Sequence, residues 1–327
     1  MTMHDPIKSP DKTSSTPSLI ERAADMYDFR KSLNQPGPDL PPAEPAGSDV
    51  AKAPAVAVPP VAAAQAAPTA RPAPPVSRRS GPSLPAAAID RETLRDRAFI
   101  VPDGPVTSIS EEFRIVKRRL LASIRAETNA GLGAAAQRIL ICSAQPNEGK
   151  TYSAINLALS IATEQDHDVL LVDADFAKPS ILSSLGIEGK QGLMDALADP
   201  DVAVEDCIIP TDIRGLSVLP AGRQTNTDSE YLASVRTSEV LARLTDGHPG
   251  RIVIFDSPPL LAASPAATLA QHVGHALMVV RADVTSERAL RDAVGLIAGC
   301  NQIQLLLNGV RFSPSGRSFG SYYGYGE

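Results

Sequence analysis

The sequence predicts an α/β domain, a three-layer sandwich built around a mostly parallel sheet. Between about residues 106 and 311, short apolar runs alternate with longer amphipathic segments. Strands that alternate with helices in this way are typical of a parallel sheet. The apolar runs are also continuous, with no polar residue at every second position, as expected of strands that are covered on both faces.

The elements follow one another regularly along this domain. The first helix is expected at 108–127, with Ser108 or Ser110 as its N-cap. Its apolar stripe consists of Ile109, Phe113, Val116, Leu120 and Ile124. Strands are predicted at 138–143, 169–174, 216–221, 251–256, 275–282 and 303–310. Further helices are predicted near 151–164, 191–198, 229–246, 264–272 and 286–299.

The rest of the chain has a different composition. Residues 1–35 contain one short helical pattern, in which Ser18 and Glu21 form a capping box, and this helix is a candidate docking segment. Residues 36–105 are expected to be a disordered linker, because 14 of the 29 prolines lie between Gln35 and Ala86. Residues 312–327 are expected to be a flexible tail, with glycines and serines between three of the chain's six tyrosines.

The charge, the cysteine positions and the hydropathy of the sequence argue against several classes of protein. A formal net charge of −6 argues against a nucleic-acid-binding protein. Cys142, Cys207 and Cys300 share no metal-binding spacing and lie in or near apolar runs, so we expect buried free thiols. No apolar run is long enough for a membrane span, and the first residues do not resemble a signal peptide. We therefore expect a cytoplasmic protein that reaches a membrane only through a partner.

A phosphate-binding loop follows the first predicted strand. Residues 144–151, AQPNEGKT, fit the Walker A pattern G-x-x-x-x-G-K-[ST] except that Ala144 replaces the first glycine. The loop stands between a strand and a helix, where backbone N–H groups and a helix N-terminus bind phosphates. Lys150 is expected to reach the β- and γ-phosphates, and Thr151 to bind Mg²⁺. The nucleotide-binding residues expected here are Gln145, Pro146, Asn147, Glu148, Gly149, Lys150, Thr151 and Tyr152.

Three aspartates end other predicted strands. Asp173 and Asp175 follow the second strand, and Asp256 ends the strand at 251–256. Ligands of open α/β sheets bind at the carboxyl ends of the strands, and Mg²⁺ prefers oxygen ligands. The sequence thus predicts a site for ATP and Mg²⁺ in a P-loop NTPase fold, with Thr151 and the three aspartates as metal-binding residues. The order of these motifs resembles that of the deviant-Walker, MinD/ParA-like kind of P-loop protein.

These motifs together resemble those of the bacterial tyrosine autokinases of polysaccharide biosynthesis. The likeness covers about 108–327 and rests on the Walker A with NLALSIA after it, DAD at 173–175, FDSPP at 255–259 and the terminal tyrosines. SLIERAA near the N-terminus and DADFAKPS are most similar to the branch found with exosortase-type exopolysaccharide loci. The absence of a membrane span resembles the stand-alone cytosolic form of the family.

The resemblance implies a function for the tail. Tyr322, Tyr323 and Tyr325 would accept phosphate in the active site of a neighbouring subunit. Lys150, Asp173, Asp175 and Asp256 would be the catalytic residues, with Asp173 favoured as the base. Asn308 resembles a residue that reads the nucleotide base, although its position also suits a simple turn residue.

The resemblance also implies partners. An E-x-x-R-x-x-R signature used for subunit contacts corresponds to Glu111, Arg114 and Lys117, with lysine in the third place. A second departure is Ala177, followed by Lys178, where many relatives have arginine. The expected partners are further copies of the chain, a separate membrane chain-length-determinant protein and a phosphotyrosine phosphatase.

Two other functions fit the same motifs. One is a ParA/MinD-like switch ATPase, although the loop lacks the additional lysine of that class and such ATPases have no need of terminal tyrosines. The other is a nucleotide-binding scaffold without kinase activity, which the departures at Ala144, Lys117 and Ala177 would suit.

Overall fold

A computed structural model describes residues 86–310. The N-terminal helix predicted before residue 36, the linker up to residue 85 and the tyrosine tail lie outside the described residues. Within the described range, seven strands form one sheet in the order β3-β4-β2-β5-β1-β6-β7. The strands are β1 Arg138–Ser143, β2 Asp168–Asp173, β3 Ile209–Pro210, β4 Leu216–Leu219, β5 Arg251–Asp256, β6 His275–Arg281 and β7 Gln302–Asn308.

All neighbouring strands run parallel except the short β3, which pairs antiparallel with β4. The helices are α1 Arg91–Asp96, α2 Ser108–Glu127, α3 Lys150–Ala162, α4 Ile181–Leu185, α5 Leu193–Ala198, α6 Asp228–Leu232, α7 Val235–Arg243, α8 Pro265–Leu269 and α9 Glu287–Leu296. Short helical turns lie at Thr128–Leu132, Gly133–Gln137, Val204–Cys207 and Ala270–His272. The predicted α/β class with a mostly parallel sheet is confirmed.

Two apolar layers cover the two faces of the sheet. Along β1, Leu140 and Cys142 face one layer, whereas Ile139 and Ile141 face the other. This alternation follows from the two-residue period of a strand, and both sets are apolar because both faces are buried. The carboxyl ends of the central strands are thereby held at one edge of the sandwich, where the aspartates lie.

The long helix α2 begins with a capping box, but neither predicted serine is its N-cap. Thr107 is the N-cap, and its hydroxyl accepts from the Ser110 N–H at 3.3 Å while the Ser110 hydroxyl accepts from the Thr107 N–H at 2.9 Å. Phe113, Leu120 and Ile124 of the predicted stripe are buried. The stripe therefore faces the core, where α2 packs mainly against α3.

The predicted linker is wrong for residues 86–105, which belong to the folded domain. Ala87 bridges to Thr211, and its N–H donates to the Pro210 carbonyl at 2.8 Å. Ile89, Leu94 and Ile100 are buried in the core. The proline- and alanine-rich composition ends near residue 86, and the larger apolar side chains after it supply the buried area that the linker lacks.

Other predictions differ in detail. The helix expected at 229–246 is broken into α6 and α7, because Ser234 has an extended backbone conformation. All three cysteines are free and buried, as expected. Within residues 86–310, no helix is long and apolar enough to cross a lipid bilayer.

Candidate nucleotide-binding site

The loop between β1 and α3 has the conformation that the Walker A pattern predicts. Gly149, the residue before α3, has a φ of 97°. Residues with a Cβ atom adopt this backbone angle only at an energetic cost. A Cβ atom there would also lie 2.0 Å from Nδ2 of Asn308, so glycine is required for space as well. Ala144 is not among the residues with positive φ, which explains why this position tolerates a methyl group.

A buried glutamate holds the loop in shape. Glu148 is only 2% exposed, and its Oε2 accepts from the Gln145 N–H at 2.8 Å. Its Oε1 accepts a short hydrogen bond from the Thr285 hydroxyl, which follows β6. A buried carboxylate is stable only when such donors compensate for its lost hydration. Glu148 is therefore a structural residue of the loop, because both of its carboxylate oxygens accept hydrogen bonds from the protein. The carboxylate is not a nucleotide-binding group.

Residues at the ends of β6 and β7 contact the loop from outside. Asn308 donates from Nδ2 to the Glu148 carbonyl at 2.9 Å, and Arg281 donates from Nη1 to the Asn147 carbonyl at 3.1 Å. Sequence reasoning missed Arg281 and Thr285, for which the only available signal is their position at or just after the end of a buried strand. Asn308 was expected to read the base, and the structure places it against the loop backbone.

Asp256 and Thr151 form the centre of the site. The Thr151 hydroxyl donates to Oδ2 of Asp256 at 2.6 Å. Oδ1 of Asp256 is buried and has no hydrogen-bond partner among the described residues. Burial, more than the nearby carboxylates, raises the pKa of Asp256 to about 8. An unpaired buried carboxylate oxygen beside a P-loop threonine fits a magnesium ion, which binds through few protein oxygens and retains water.

Asp173, the last residue of β2, lies next to this pair, because it is opposite Asp256 in the register of β2 and β5, and Asp175 follows two residues later. Oδ2 of Asp173 accepts from the N–H groups of Ser180 and Ile181 at 2.8 and 3.0 Å. Its Oδ1 accepts from the Asp175 N–H at 3.3 Å. Burial raises the pKa of Asp173 to about 6 even though these donors oppose the shift.

Asp175 is more accessible than Asp173. Its Oδ1 accepts from the Lys178 N–H at 3.1 Å, and partial burial raises its pKa while the charges of Lys150 and Lys178 lower it. The expectation that Asp173, Asp175 and Asp256 converge on one metal ion is wrong in this form. Within the described range, no group of three or more His, Cys, Asp or Glu side chains could hold a metal ion. The reason is that both oxygens of Asp173 are turned toward backbone N–H groups.

Lys150 is the first residue of α3, and its side chain is largely buried. Burial raises the pKa of Asp175 and of Asp256, and the positive charge of Lys150 opposes both rises. The ammonium group therefore interacts electrostatically with both carboxylates. Gln145, Pro146 and Asn147 form the exposed part of the loop. The structure thus places the loop, Lys150 and Thr151 beside Asp256, with Asp173 and Asp175 at the end of the adjacent strand.

Tyr152 was expected to bind nucleotide, but its side chain points elsewhere. Its ring stacks on Phe99 with centroids 5.5 Å apart, and its hydroxyl donates to the Ala98 carbonyl at 2.8 Å. The side chain therefore connects α3 to the segment between α1 and α2. Only the backbone N–H of Tyr152, in the first turn of α3, remains available for phosphate.

Lys117 was expected to contact a neighbouring subunit, but its ammonium group is used inside the domain. Its Nζ donates to the Ser160 carbonyl at 2.8 Å and lies 2.6 Å from a carboxylate oxygen of Glu164. The Lys117 side chain is only 5% exposed, which leaves no surface for a subunit contact. Glu111 and Arg114 pair with each other at the partly exposed start of α2.

A scan of the chain against protein-family models finds no match. Comparison with known proteins finds tyrosine-protein kinase YwqD of Bacillus subtilis, which is 28% identical over 239 residues, or 72% of this chain and 94% of YwqD. Tyrosine-protein kinase wzc of Salmonella typhimurium is 30% identical over 188 residues. That match spans 58% of this chain but only a quarter (25%) of wzc.

Among solved structures, the kinase domain of Escherichia coli tyrosine kinase ETK has a TM-score of 0.54 at 25% identity. The match covers 69% of this chain and 91% of the ETK domain. By sequence and by fold, this chain is similar to bacterial tyrosine-protein kinases.

Proposed function

We propose that this chain is an ATP-dependent protein-tyrosine kinase whose acceptors are its own Tyr322, Tyr323 and Tyr325. The observation that carries the proposal is the Thr151–Asp256 pair beside Lys150, at the strand edge where P-loop proteins bind nucleotide. The likeness to YwqD over nearly all of that kinase supports the reaction type. Half of the chain's six tyrosines lie in the last six residues. These three tyrosines would be the phosphate acceptors.

The chain's own residues would perform positioning and charge stabilisation. The N–H groups of the loop and of the first turn of α3 would bind the phosphates, with Lys150 at the β- and γ-phosphates. Thr151 and the unpaired oxygen of Asp256 would hold Mg²⁺ with its water shell. Once bound, Mg²⁺ would neutralise charge that develops on the phosphate oxygens.

The position of Asp175 suits the base better than that of Asp173. Both oxygens of Asp173 accept from backbone N–H groups, whereas Asp175 is partly exposed and has one oxygen committed to Lys178. The phenolic oxygen of a tyrosine would attack the γ-phosphorus, its proton would pass to Asp175, and ADP would leave with the bridging oxygen. Asp173 would instead fix the turn that carries Asp175.

Regulation of polysaccharide synthesis is the cellular role that we infer. The chain would act on the tail of a neighbouring copy, with Glu111 and Arg114 at the contact, and would be reset by a phosphotyrosine phosphatase. A separate membrane chain-length-determinant protein would recruit it from the cytoplasm to the inner membrane, as in the stand-alone, exosortase-associated form of the family. Residues 1–85 contain the docking segment and linker that would serve this recruitment. Asn308, which donates to the Glu148 carbonyl, would in addition contact the base.

The test is incubation of the purified full chain with γ-labelled ATP and Mg²⁺, with and without the cytosolic segment of the membrane partner. We expect label on the wild-type chain and none on Lys150→Ala or on the triple Tyr322/Tyr323/Tyr325→Phe variant. Hydrolysis of ATP without label on protein would favour a switch ATPase. Binding of ATP without hydrolysis or transfer would favour a scaffold.

A further inference from the structure

The outermost strand β7 carries an apolar surface that the described residues leave uncovered. Leu305 and Leu307 are 59% and 53% exposed, and Val310, just after the strand, is 49% exposed. We call these three residues the β7 patch. Ile303, two residues before Leu305 on the same face, is partly buried against the core below α9. The start of β7 is therefore packed against the core, whereas its second half is open.

Exposed apolar residues are frequent in the last part of the described range, between residues 284 and 310. Eight large apolar side chains are exposed in the described range, and Val284, Leu296 and the β7 patch account for five of them. Scattered exposed aliphatic residues are ordinary, but a contiguous group marks a surface that another segment covers. The β7 patch itself lies on the last strand of the sheet, away from the central strands.

The backbone of β7 is also open. It pairs only with β6, and it is the last strand of the sheet in the described residues. Edge strands are normally protected by charged residues, proline or a bulge. Gln302–Asn308 reads QIQLLLN, which has no charge and no proline. Such an edge is a template for a further strand.

The next part of the chain begins at this edge. Gly309 has a φ of 69°, which redirects the backbone directly after β7, and residues 311–327 follow Val310. At roughly 3.3 Å per residue, seven of those 17 residues are sufficient to run back along the whole of β7. Such a short tether gives an effective concentration of order millimolar.

The composition of residues 311–327 suits this surface. The segment contains Phe312, Phe319 and the three tyrosines, which are 5 of the 13 phenylalanines and tyrosines of the chain. Its only acidic residue is Glu327, at the very end. Aromatic side chains pack well on aliphatic residues across neighbouring strands.

We propose that residues 311–327 fold back antiparallel to β7 and cover the β7 patch with their aromatic side chains. The direction of β7 determines where the tyrosines lie. Its carboxyl end, at Asn308, touches the phosphate-binding loop, so a returning segment runs toward Gln302 and away from the loop. The docked segment thus withholds its tyrosines from the catalytic edge of the sheet, and this regulatory consequence rests on the proposed kinase function.

The test is hydrogen–deuterium exchange of the full chain without nucleotide, read by mass spectrometry. In the wild type we expect slow exchange in residues 311–320 and in Gln302–Asn308. Leu305→Ser/Leu307→Ser should speed exchange of residues 311–320 at least tenfold, with α3 unchanged as a control of folding. Phe312→Ser/Phe319→Ser, which leaves the folded domain untouched, should have the same effect. The matched control is Val106→Ser/Val235→Ser, which alters exposed apolar residues elsewhere and should change nothing in the segment.

Exchange of residues 311–320 at the rate of an unstructured peptide in the wild type would overturn the proposal. Protection that disappears on tenfold dilution would assign the surface to a second copy and would also overturn it. Because no ATP is present, a failure of the kinase proposal leaves these readings intact. If the kinase proposal holds, the β7 and phenylalanine variants should label their tyrosines faster than wild type, and equal rates would overturn the regulatory consequence.

Discussion

The hydroxyl of Thr151 donates to Oδ2 of Asp256 over 2.6 Å, which joins the first turn of α3 to the carboxyl end of β5. The other oxygen of Asp256 is buried without a partner among the described residues. One residue of the loop and one of the sheet are thus fixed relative to each other before any ligand binds. This buried oxygen has lost its hydration without gaining a hydrogen bond, so a bound cation would stabilise it.

Asp256→Asn should therefore lower the Mg²⁺-dependent rate of tyrosine phosphorylation about 10- to 100-fold, because outer ligands of a metal typically contribute that much. The amide retains the shape and the bond from Thr151 but loses the charge. The measurement is the initial rate of labelling over a series of Mg²⁺ concentrations. Asp201→Asn, an exposed turn residue, is the control. An Asp256→Asn rate equal to wild type would remove Asp256 from the metal site.

Substitution of Asp173 and of Asp175, at the carboxyl end of β2, should have different effects. Asp175→Asn should lower kcat by about 10²-fold or more with the KM for ATP unchanged, as expected for loss of a general base. Asp173→Asn should lower the thermal midpoint, because three backbone N–H groups lose a charged acceptor. Steady-state kinetics and thermal unfolding of both variants test the assignment. A normal thermal midpoint with lost kcat in Asp173→Asn would return the role of base to Asp173.

Glu148 should matter for nucleotide binding although it faces away from the site. Glu148→Ala leaves the Gln145 N–H and the Thr285 hydroxyl without their acceptor. The loop should lose about 1–2 kcal/mol of its preference for the binding conformation, so ATP affinity should fall roughly tenfold. Titration with a fluorescent ATP analogue measures this effect. Glu112→Ala, on the exposed side of α2, is the matched control, and equal affinities of the two variants would contradict a bracing role.

His275 should make stability depend on pH. Its Nδ1 donates to the Ala136 carbonyl, so Nε2 accepts from the Ser123 hydroxyl in the neutral ring, both at 3.1 Å. Burial lowers the pKa of His275, and the Ala136 carbonyl and the charge of Glu127 oppose the shift only partly. The unfolded chain thus binds more protons than the folded chain below the ordinary histidine pKa.

The free energy of unfolding should accordingly fall as the pH drops from 7 to 5, and it should fall less steeply in His275→Gln. Urea denaturation at pH 5, 6 and 7 gives both slopes. The Gln side chain is expected to lower stability at every pH, so the comparison rests on the slope and not on the absolute value. Parallel slopes for the two proteins would show that His275 is not the titrating group.

The sheet and the phosphate-binding loop could be predicted from the sequence, because the patterns that indicate them lie within short stretches of the chain. Each central strand is one apolar run, and the Walker A pattern lies between a strand and a helix. Contacts between distant segments gave no such signal. The pairing of Ala87 with Thr211 and the bond from Thr285 to Glu148 join residues more than 100 positions apart. The proline-rich composition before residue 86 also obscured the start of the domain.

Charged and polar residues on helices were the other source of error. The spacing of Glu111, Arg114 and Lys117 resembles a contact signature, but spacing does not reveal burial. Lys117 turned out to bind Ser160 and Glu164 inside the domain. Likewise, Tyr152 follows the Walker A threonine in sequence, yet the helical turn directs its ring to Phe99.

The central claim is that the P-loop site of one copy phosphorylates the tail tyrosines of another. The most direct measurement mixes Lys150→Met, which keeps its tyrosines, with Tyr322/Tyr323/Tyr325→Phe, which keeps its site, in the presence of ATP and Mg²⁺. Mass spectrometry then locates phosphate on each chain. The account predicts phosphate on the tail of the Lys150→Met chain only in the mixture. No phosphate on that tail, under conditions in which the wild type is phosphorylated, would contradict the account.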